Sequence, residues 1–223
     1  MQELIQFFKE RLQKELPHSN ILKEDLDPKL TKLLLEEEQN AKEQFKKTPP
    51  RICAVMIAMY PHEGDIYLPM MLRPTKSRAH PGQISFPGGK KEDQDQNLIE
   101  TAIREMQEEV GVLVPQENVI GPLSSVYIPP SNSLVTPILG FLEEKPSYVI
   151  APDEVERALD ISLKDLGDPA NEKVKKVILT NGDYFEMPAF AVSDVFIWGG
   201  TARMIQELNC LLEEWRLAVG SQQ

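Results

Sequence analysis

The spacing of apolar residues changes along the chain and divides it into segments. Leu4, Phe8 and Leu12 recur at every fourth position, and Leu30, Leu33 and Leu34 open a second stripe after Asp27-Pro28. That period predicts two helices in residues 1–50, an extension packed on the unit that follows. Thr48-Pro49-Pro50 stops helix and opens the main unit, residues 51–223. Residues 53–60 form a continuous apolar run, 61–65 a turn and 66–72 a second run, which together predict a hairpin. A loop rich in Arg, Lys, His, Pro and Gly continues to Lys91, and helical period returns over Leu98–Val110. Further strands are expected near residues 119–123, 134–141, 155–161, 174–179 and 184–191. A closing helix over 201–215 places Ile205, Leu208, Leu212 and Trp215 on one face. Strand and helix alternate too little for a doubly wound sheet, so the pattern predicts a mixed α/β unit with helices on the faces of a mixed sheet.

Composition narrows the class. Lys and Arg number 24 against 35 Asp and Glu, a formal charge of −11, which argues against general binding of nucleic acid. Two cysteines, Cys53 and Cys210, sit in apolar runs without CxxC spacing. They suit a reducing compartment and exclude a zinc ribbon or a disulfide framework. The longest apolar run is far short of the ~20 residues of a membrane span. The first ten residues contain acids and do not read as a secretory signal, and Gly220-Ser-Gln-Gln carries no targeting address. The expectation is a soluble, cytoplasmic protein without membrane or nucleic-acid partners. A homodimer is left open.

Candidate chemistry concentrates between residues 66 and 111. The helix over Leu98–Val110 has Asn97 and Glu100 at capping-box spacing and Gly111 where a left-handed terminal residue belongs. Ile99, Ala102, Ile103, Met106 and Val110 make its apolar stripe, and Glu105, Glu108 and Glu109 fall together on the adjoining sector. Like charges at this spacing repel by ~0.2–0.5 kcal/mol per pair, and Arg104 can offset only part of that. An acidic helix face is ordinarily solvated surface. Here the acids flank the apolar stripe and follow Gly88-Gly89, whose backbone can approach an ion closely, so the cluster suits Mg²⁺ or Mn²⁺. From Ile66 to Lys91 there is no Asp or Glu, while Arg73, Lys76, Arg78, Lys90 and Lys91 are basic. A cationic loop beside an acidic metal site matches a polyanionic small molecule held by its phosphates and bridged by metal. The frame around Gly88-Gly89-Lys90 is not that of a P-loop.

Residues 89–112, ending Arg-Glu-Met-Gln-Glu-Glu-Val-Gly-Val, resemble the Nudix box, and the tail matches at every specified position. Arg104 lies fifteen residues after Gly89 instead of fourteen, and the usual Glu falls on Asp95. The coenzyme A pyrophosphatase branch shares that departure. Its added motif is matched by Arg73, Arg78, Gly82 and Phe86-Pro87-Gly88-Gly89, and its continuation by Glu92 and Asp95. Pro74 stands in place of a small Ser or Ala, and Met70-Met71-Leu72 in place of Leu-Leu-Thr. The likeness extends loosely from about residue 50 to 215, including Trp198-Gly-Gly-Thr-Ala-Arg.

The resemblance implies a Nudix-type α/β/α sandwich carrying a loop–helix–loop, here with an N-terminal helical extension. It implies metal-dependent hydrolysis of coenzyme A or its thioesters at the diphosphate, giving adenosine 3′,5′-bisphosphate and 4′-phosphopantetheine or its acyl form. On that basis Glu105, Glu108 and Glu109 are metal ligands, joined by the Gly89 carbonyl. Glu105 is alternatively the general base. An additional acid from outside the box is expected, with Glu154 at a strand start as the candidate and Asp153 and Glu156 as close rivals. Arg104 orients the glutamates. Arg73, Arg78 and Lys76, with Lys90, are the candidates for binding phosphate, and His80 shapes the loop. The Ile128-Pro-Pro-Ser-Asn-Ser loop is a candidate pocket wall. The alternatives are the same chemistry on ADP-ribose or another nucleoside diphosphate derivative, and a Nudix-fold binding module without turnover.

Overall fold

The run after Pro50 lacks strand alternation because both of its faces are buried. The computed structural model describes residues 1–13, 48–77, 80–178 and 184–220, with the side chain of Phe185 set aside. In chain order its elements are α1 (Gln2–Gln13), β1 (Arg51–His62), β2 (Asp65–Leu72), β3 (Ile84–Ser85), β4 (Gly88–Lys90), α2 (Leu98–Val110), β5 (Val119–Pro122), β6 (Val126–Ile128), β7 (Ser133–Phe141), β8 (Arg157–Ser162), α3 (Leu163–Leu166), β9 (Glu172–Ile178), β10 (Tyr184–Val192), β11 (Val195–Trp198) and α4 (Gly200–Gly220). On β1, Ala54, Met56, Ala58 and Tyr60 enter one apolar cluster while Ile57 and Met59 enter the other. A strand covered on both sides reads as a continuous apolar segment.

Strand β1 runs parallel to β7 from Arg51 opposite Ser133 to Met59 opposite Phe141. The hairpin to β2 pairs only near its turn, from Tyr60 opposite Tyr67 to His62 opposite Asp65. Beyond that the two strands splay apart. The basic loop fills the wedge, β3 pairing with β2 and β4 with β1, and the Met56 N–H donates to the Pro87 carbonyl at 2.8 Å. Residues 73–91, expected as loop throughout, therefore contain two short strands. Neither shows alternation, since one spans two residues and the other is Gly-Gly-Lys.

Helix α2 covers one face of the sheet with Ala102, Met106 and Val110, and Ile99 and Ile103 pack at the margin of the same cluster. On the other face α1 contributes Leu4 and Phe8, and α4 contributes Ile205, Leu208, Leu211 and Leu212. Arg11 of α1 ties to Glu214 of α4, Nε to Oε2 at 2.6 Å. The result is an α/β/α sandwich around a mixed sheet. Strands β9, β10 and β11 form a separate antiparallel sheet. The strands expected near 174–179 and 184–191 correspond to β9 and β10 of this second sheet. The second N-terminal stripe, Leu30–Leu34, lies outside the described residues. Among the described residues no helix is long and apolar enough to cross a membrane.

Phe8 is fully buried between α4 and the sheet. Phe8→Ala is expected to lower unfolding free energy by about 3–5 kcal/mol in urea titration. A loss below about 1 kcal/mol would mean that α1 does not share the core.

Candidate active site

Helix α2 is fixed at both ends by its own sequence. Asn97 Oδ1 accepts from the Ile99 and Glu100 N–H groups at 2.9 and 3.0 Å. The Glu100 carboxylate accepts from Gln96 rather than from Asn97, so the expected reciprocal box is offset by one residue. At the other end Gly111 is left-handed at φ 73°, with its N–H on the Gln107 carbonyl at 3.0 Å and that of Val112 on Met106 at 3.4 Å. The same glycine faces residue 149. A Cβ on Gly111 would stand 2.8 Å from Val149 Cβ and from its carbonyl oxygen.

The helix projects its glutamates against β4. Glu105 and Glu109 are buried, whereas the Glu108 side chain is 58% exposed, so the acidic sector divides into a covered pair and a solvent-facing third member. Glu109 Oε2 accepts from the Gly88 N–H at 2.7 Å. A Cβ on Gly89 would lie 2.5–2.6 Å from the Glu105 carboxylate, and one on Gly88 2.3 Å from the Ala54 carbonyl oxygen. The two glycines are thus what lets a sheet strand touch both carboxylates.

Arg104 organises the rest. Nε and Nη2 bond the two oxygens of Asp95, each at 2.9 Å. Nη2 also reaches the Lys90 carbonyl at 3.1 Å, and Nη1 reaches Glu105 Oε1 at 2.9 Å and Glu108 Oε2 at 2.8 Å. These contacts occupy all five donors of a guanidinium. Because Glu105 and Glu108 share one nitrogen, their oxygens converge. Asp95 is itself held by Thr101 Oγ1 at 3.0 Å and the Glu92 N–H at 2.9 Å, and Lys91 Nζ donates to its carbonyl. The Arg104 hydrogen bonds hold the Asp95 carboxyl well below the usual carboxylate range, against the effect of its burial. Thr101 is a structural partner the sequence pattern did not mark, and Lys91, named for its charge, serves here as a structural donor. A threonine beside the apolar stripe was the available signal for the first.

The covered acids are costly. Burial pushes the Glu109 carboxyl up to about 8, with the charges of Glu105 and Glu154 adding to the rise and the Gly88 N–H and Arg73 opposing it. Burial likewise raises Glu105, and Arg104 counters it. Arg73, from the basic loop, approaches Glu109 with Nη1 3.6 Å from Oε1, and its own Nε is buried without a hydrogen-bond partner among the described residues. Among the described residues no three His, Cys, Asp or Glu side chains are gathered as a ready cluster; the carboxylates turn instead to Arg104 and Arg73.

The remaining candidates are distributed as follows. Lys76 and Lys90 are exposed, and Arg78 lies outside the described residues. His80 has φ 53° and its carbonyl accepts from Gln83 at 3.3 Å; burial, then Arg73, lowers its pKa below the usual imidazole value. Glu154 stands in a turn, not at a strand start, because β8 begins at Arg157. Residues 129–131 form a 3₁₀ turn whose Ser131 carbonyl accepts from Arg51 Nη2 at 2.7 Å, a cation at the start of β1 that the sequence pattern did not mark.

A sequence model of the NUDIX domain matches residues 50–179, more than half of the chain. The mitochondrial coenzyme A diphosphatase NUDT8 of Mus musculus is 31% identical over 81% of this chain and 89% of its own length. The peroxisomal coenzyme A diphosphatase NUDT7 of Mus musculus is 33% identical over 63% of this chain and 59% of that protein, less than two thirds of it. Among solved structures, a MutT/nudix family protein from Enterococcus faecalis superposes with a TM-score of 0.51 at 16% identity, covering 74% of this chain and 62% of the other, which speaks to fold alone.

Asp95→Asn removes one charge from the bidentate pair and leaves Arg104 with an amide donor facing it. Unfolding free energy is expected to fall by about 1.5–3 kcal/mol, measured by denaturant titration. An unchanged midpoint would show that Arg104 is held adequately by the glutamates and the Lys90 carbonyl.

Proposed function

The chain belongs to the Nudix family, and on that premise we propose that it hydrolyses the diphosphate linkage of coenzyme A or an acyl-CoA. The products are adenosine 3′,5′-bisphosphate and 4′-phosphopantetheine, or its acyl form. One observation carries the proposal. Two covered carboxylates, Glu105 and Glu109, lie against Gly88-Gly89 with Arg73 of the acid-free loop facing Glu109. The substrate follows from the set Arg73, Arg78, Gly82 and Phe86-Pro87-Gly88-Gly89, and the named activities of the two mouse relatives support it.

The donor set suits a hard divalent cation. Glu105, Glu108 and Glu109 offer carboxylate oxygens, the first two already converging on one nitrogen, and the close packing of Gly89 on Glu105 leaves the strand backbone at their level. Glu105, Glu108, Glu109 and the Gly89 carbonyl would hold Mg²⁺ or Mn²⁺. Bound there, the ion supplies charge neutralisation for the diphosphate oxygens and activation of water. The chain's own residues do the remainder. Arg73, with Arg78 and Lys76, grips phosphate oxygens, while Lys90 extends the positive rim at β4. Arg104 keeps Glu105 and Glu108 in place and has no donor left for substrate. In the reaction the oxygen of water attacks one phosphorus, the bond from that phosphorus to the bridging oxygen breaks, and the proton of water passes to Glu105 or Glu154. The substrate is a small molecule, and the cytoplasmic placement expected from composition belongs to the same reading.

Incubating the protein with coenzyme A and Mg²⁺ is expected to release the two named products, by chromatography and mass analysis, and EDTA is expected to stop the reaction. Glu109→Gln and Glu105→Gln should each lower kcat by about 10²–10⁴-fold. Equal or faster turnover of ADP-ribose would reject the substrate, and full activity of both glutamine variants would reject the site.

A further inference from the structure

Between β7 and β8 the chain runs through residues 142–156 without helix or strand. Connections longer than about 12 residues with no element of their own are uncommon in a packed unit and are usually functional. This one is a strap laid across the C-terminal end of α2. The Leu142 N–H donates to Met59 at 2.8 Å, that of Val149 to the Val110 carbonyl at 2.9 Å, and that of Ala151 to the Glu109 carbonyl at 2.9 Å. Glu154 and Val155 then turn tightly on the Ala151 carbonyl, and the Glu156 N–H donates to Leu72, the residue before Arg73, at 2.9 Å. Glu154 therefore stands between an anchor on Glu109 and an anchor beside Arg73.

Apolar burial secures the two ends of the strap, where Leu142 and Val155 are in the core, and Tyr148 packs against the same cluster. Val149 and Ile150 are exposed. Between those ends the strap is also held by polar contacts. The Tyr148 hydroxyl donates to Asp160 Oδ1 on β8, and Lys145 Nζ lies 2.8 Å from Oδ2. Tyr148 is half-buried and Lys145 is largely in solvent, so the tyrosine bond is the protected one and the lysine pair the weaker. Beneath them is the buried Tyr60, stacked on Tyr67 at 5.9 Å.

We infer that Asp160 and Tyr148 are positioning residues, a clasp that fixes the strap to β8 and so sets where Glu154 stands relative to Glu105 and Glu109. This rests on the role proposed above for Glu154. Neither clasp residue touches the acid cluster. They act through the backbone between Tyr148 and Glu154. Gly111 serves the same end, since a side chain there would collide with residue 149.

The test combines Tyr148→Phe and Asp160→Asn, each in the parent chain and in Glu154→Gln, with amide hydrogen exchange read by mass spectrometry. Tyr148→Phe removes one hydroxyl and is the variant to rely on if Asp160→Asn folds poorly. Exchange over residues 149–155 should accelerate about tenfold or more while the interior of α2 is unchanged. With coenzyme A and Mg²⁺, kcat should fall roughly 10–100-fold with little change in KM. In the Glu154→Gln background the clasp variants should cause no further loss. Unchanged exchange in the strap, or the same fold-loss in both backgrounds, overturns the inference. Full activity of Glu154→Gln alone also overturns it, while leaving the diphosphate reaction in place. A parent protein that cleaves no diphosphate overturns the reaction instead, and the exchange rates still judge the clasp.

Discussion

Two glutamates buried side by side on one helical turn are the constraint around which the rest of this structure is arranged. Burial raises both carboxyls first, and neighbouring acids add to the rise, Glu108 and Glu154 at Glu105 and Glu105 and Glu154 at Glu109. Like charges under cover repel more strongly than the fraction of a kcal/mol found on an exposed helix, because the effective dielectric there is lower. The protein's answer is partial. Arg104 commits every donor it has, but its strongest pair goes to Asp95, and among the described residues Glu109 receives only a backbone N–H and a distant Arg73. Charge compensation at Glu109 is left incomplete, which is the electrostatic setting in which a divalent cation binds well.

The architecture is explained by that arrangement more than by economy of packing. Strands β1 and β2 splay so that Phe86-Pro87-Gly88-Gly89 can enter between them, and glycine is required because Ala54 and Glu105 leave no space for Cβ atoms. Helix α2 must end where it does, since Gly111 serves both the left-handed terminus and the passage of the strap. The strap returns an acid to the cluster, and the basic loop returns a cation. Opposite charges thus reach one location from separate parts of the chain, on a rigid sheet that neither could form alone.

Much of this was legible in the sequence where local periodicity and caps speak for themselves. Helix α2 is bounded by Asn97 and Gly111, and its limits, Leu98–Val110, coincide with the expectation. The hairpin of β1 and β2 and the apolar face of α4 follow from spacing in the same way. Pairings that depend on distant partners were not legible. Strands β3 and β4 are too short and too glycine-rich to show alternation, and β6 and β11, of three and four residues, carry no periodic signal. Within the site, the acidic sector was visible, but its division into covered Glu105 and Glu109 and exposed Glu108 depends on where β4 lies. Glu154 was legible as a candidate and its turn was not, because its location is set by hydrogen bonds to Glu109 and Leu72 rather than by its neighbours in sequence.

The account turns on whether the glutamates of α2 take up a divalent cation, and Mn²⁺ titration of metal-stripped protein followed by electron paramagnetic resonance measures this without reference to any substrate. Saturable binding by the parent chain, weakened at least tenfold when Glu109 is replaced by Gln, is the result predicted. Absence of saturable binding, or binding of equal strength in the variant, would contradict it.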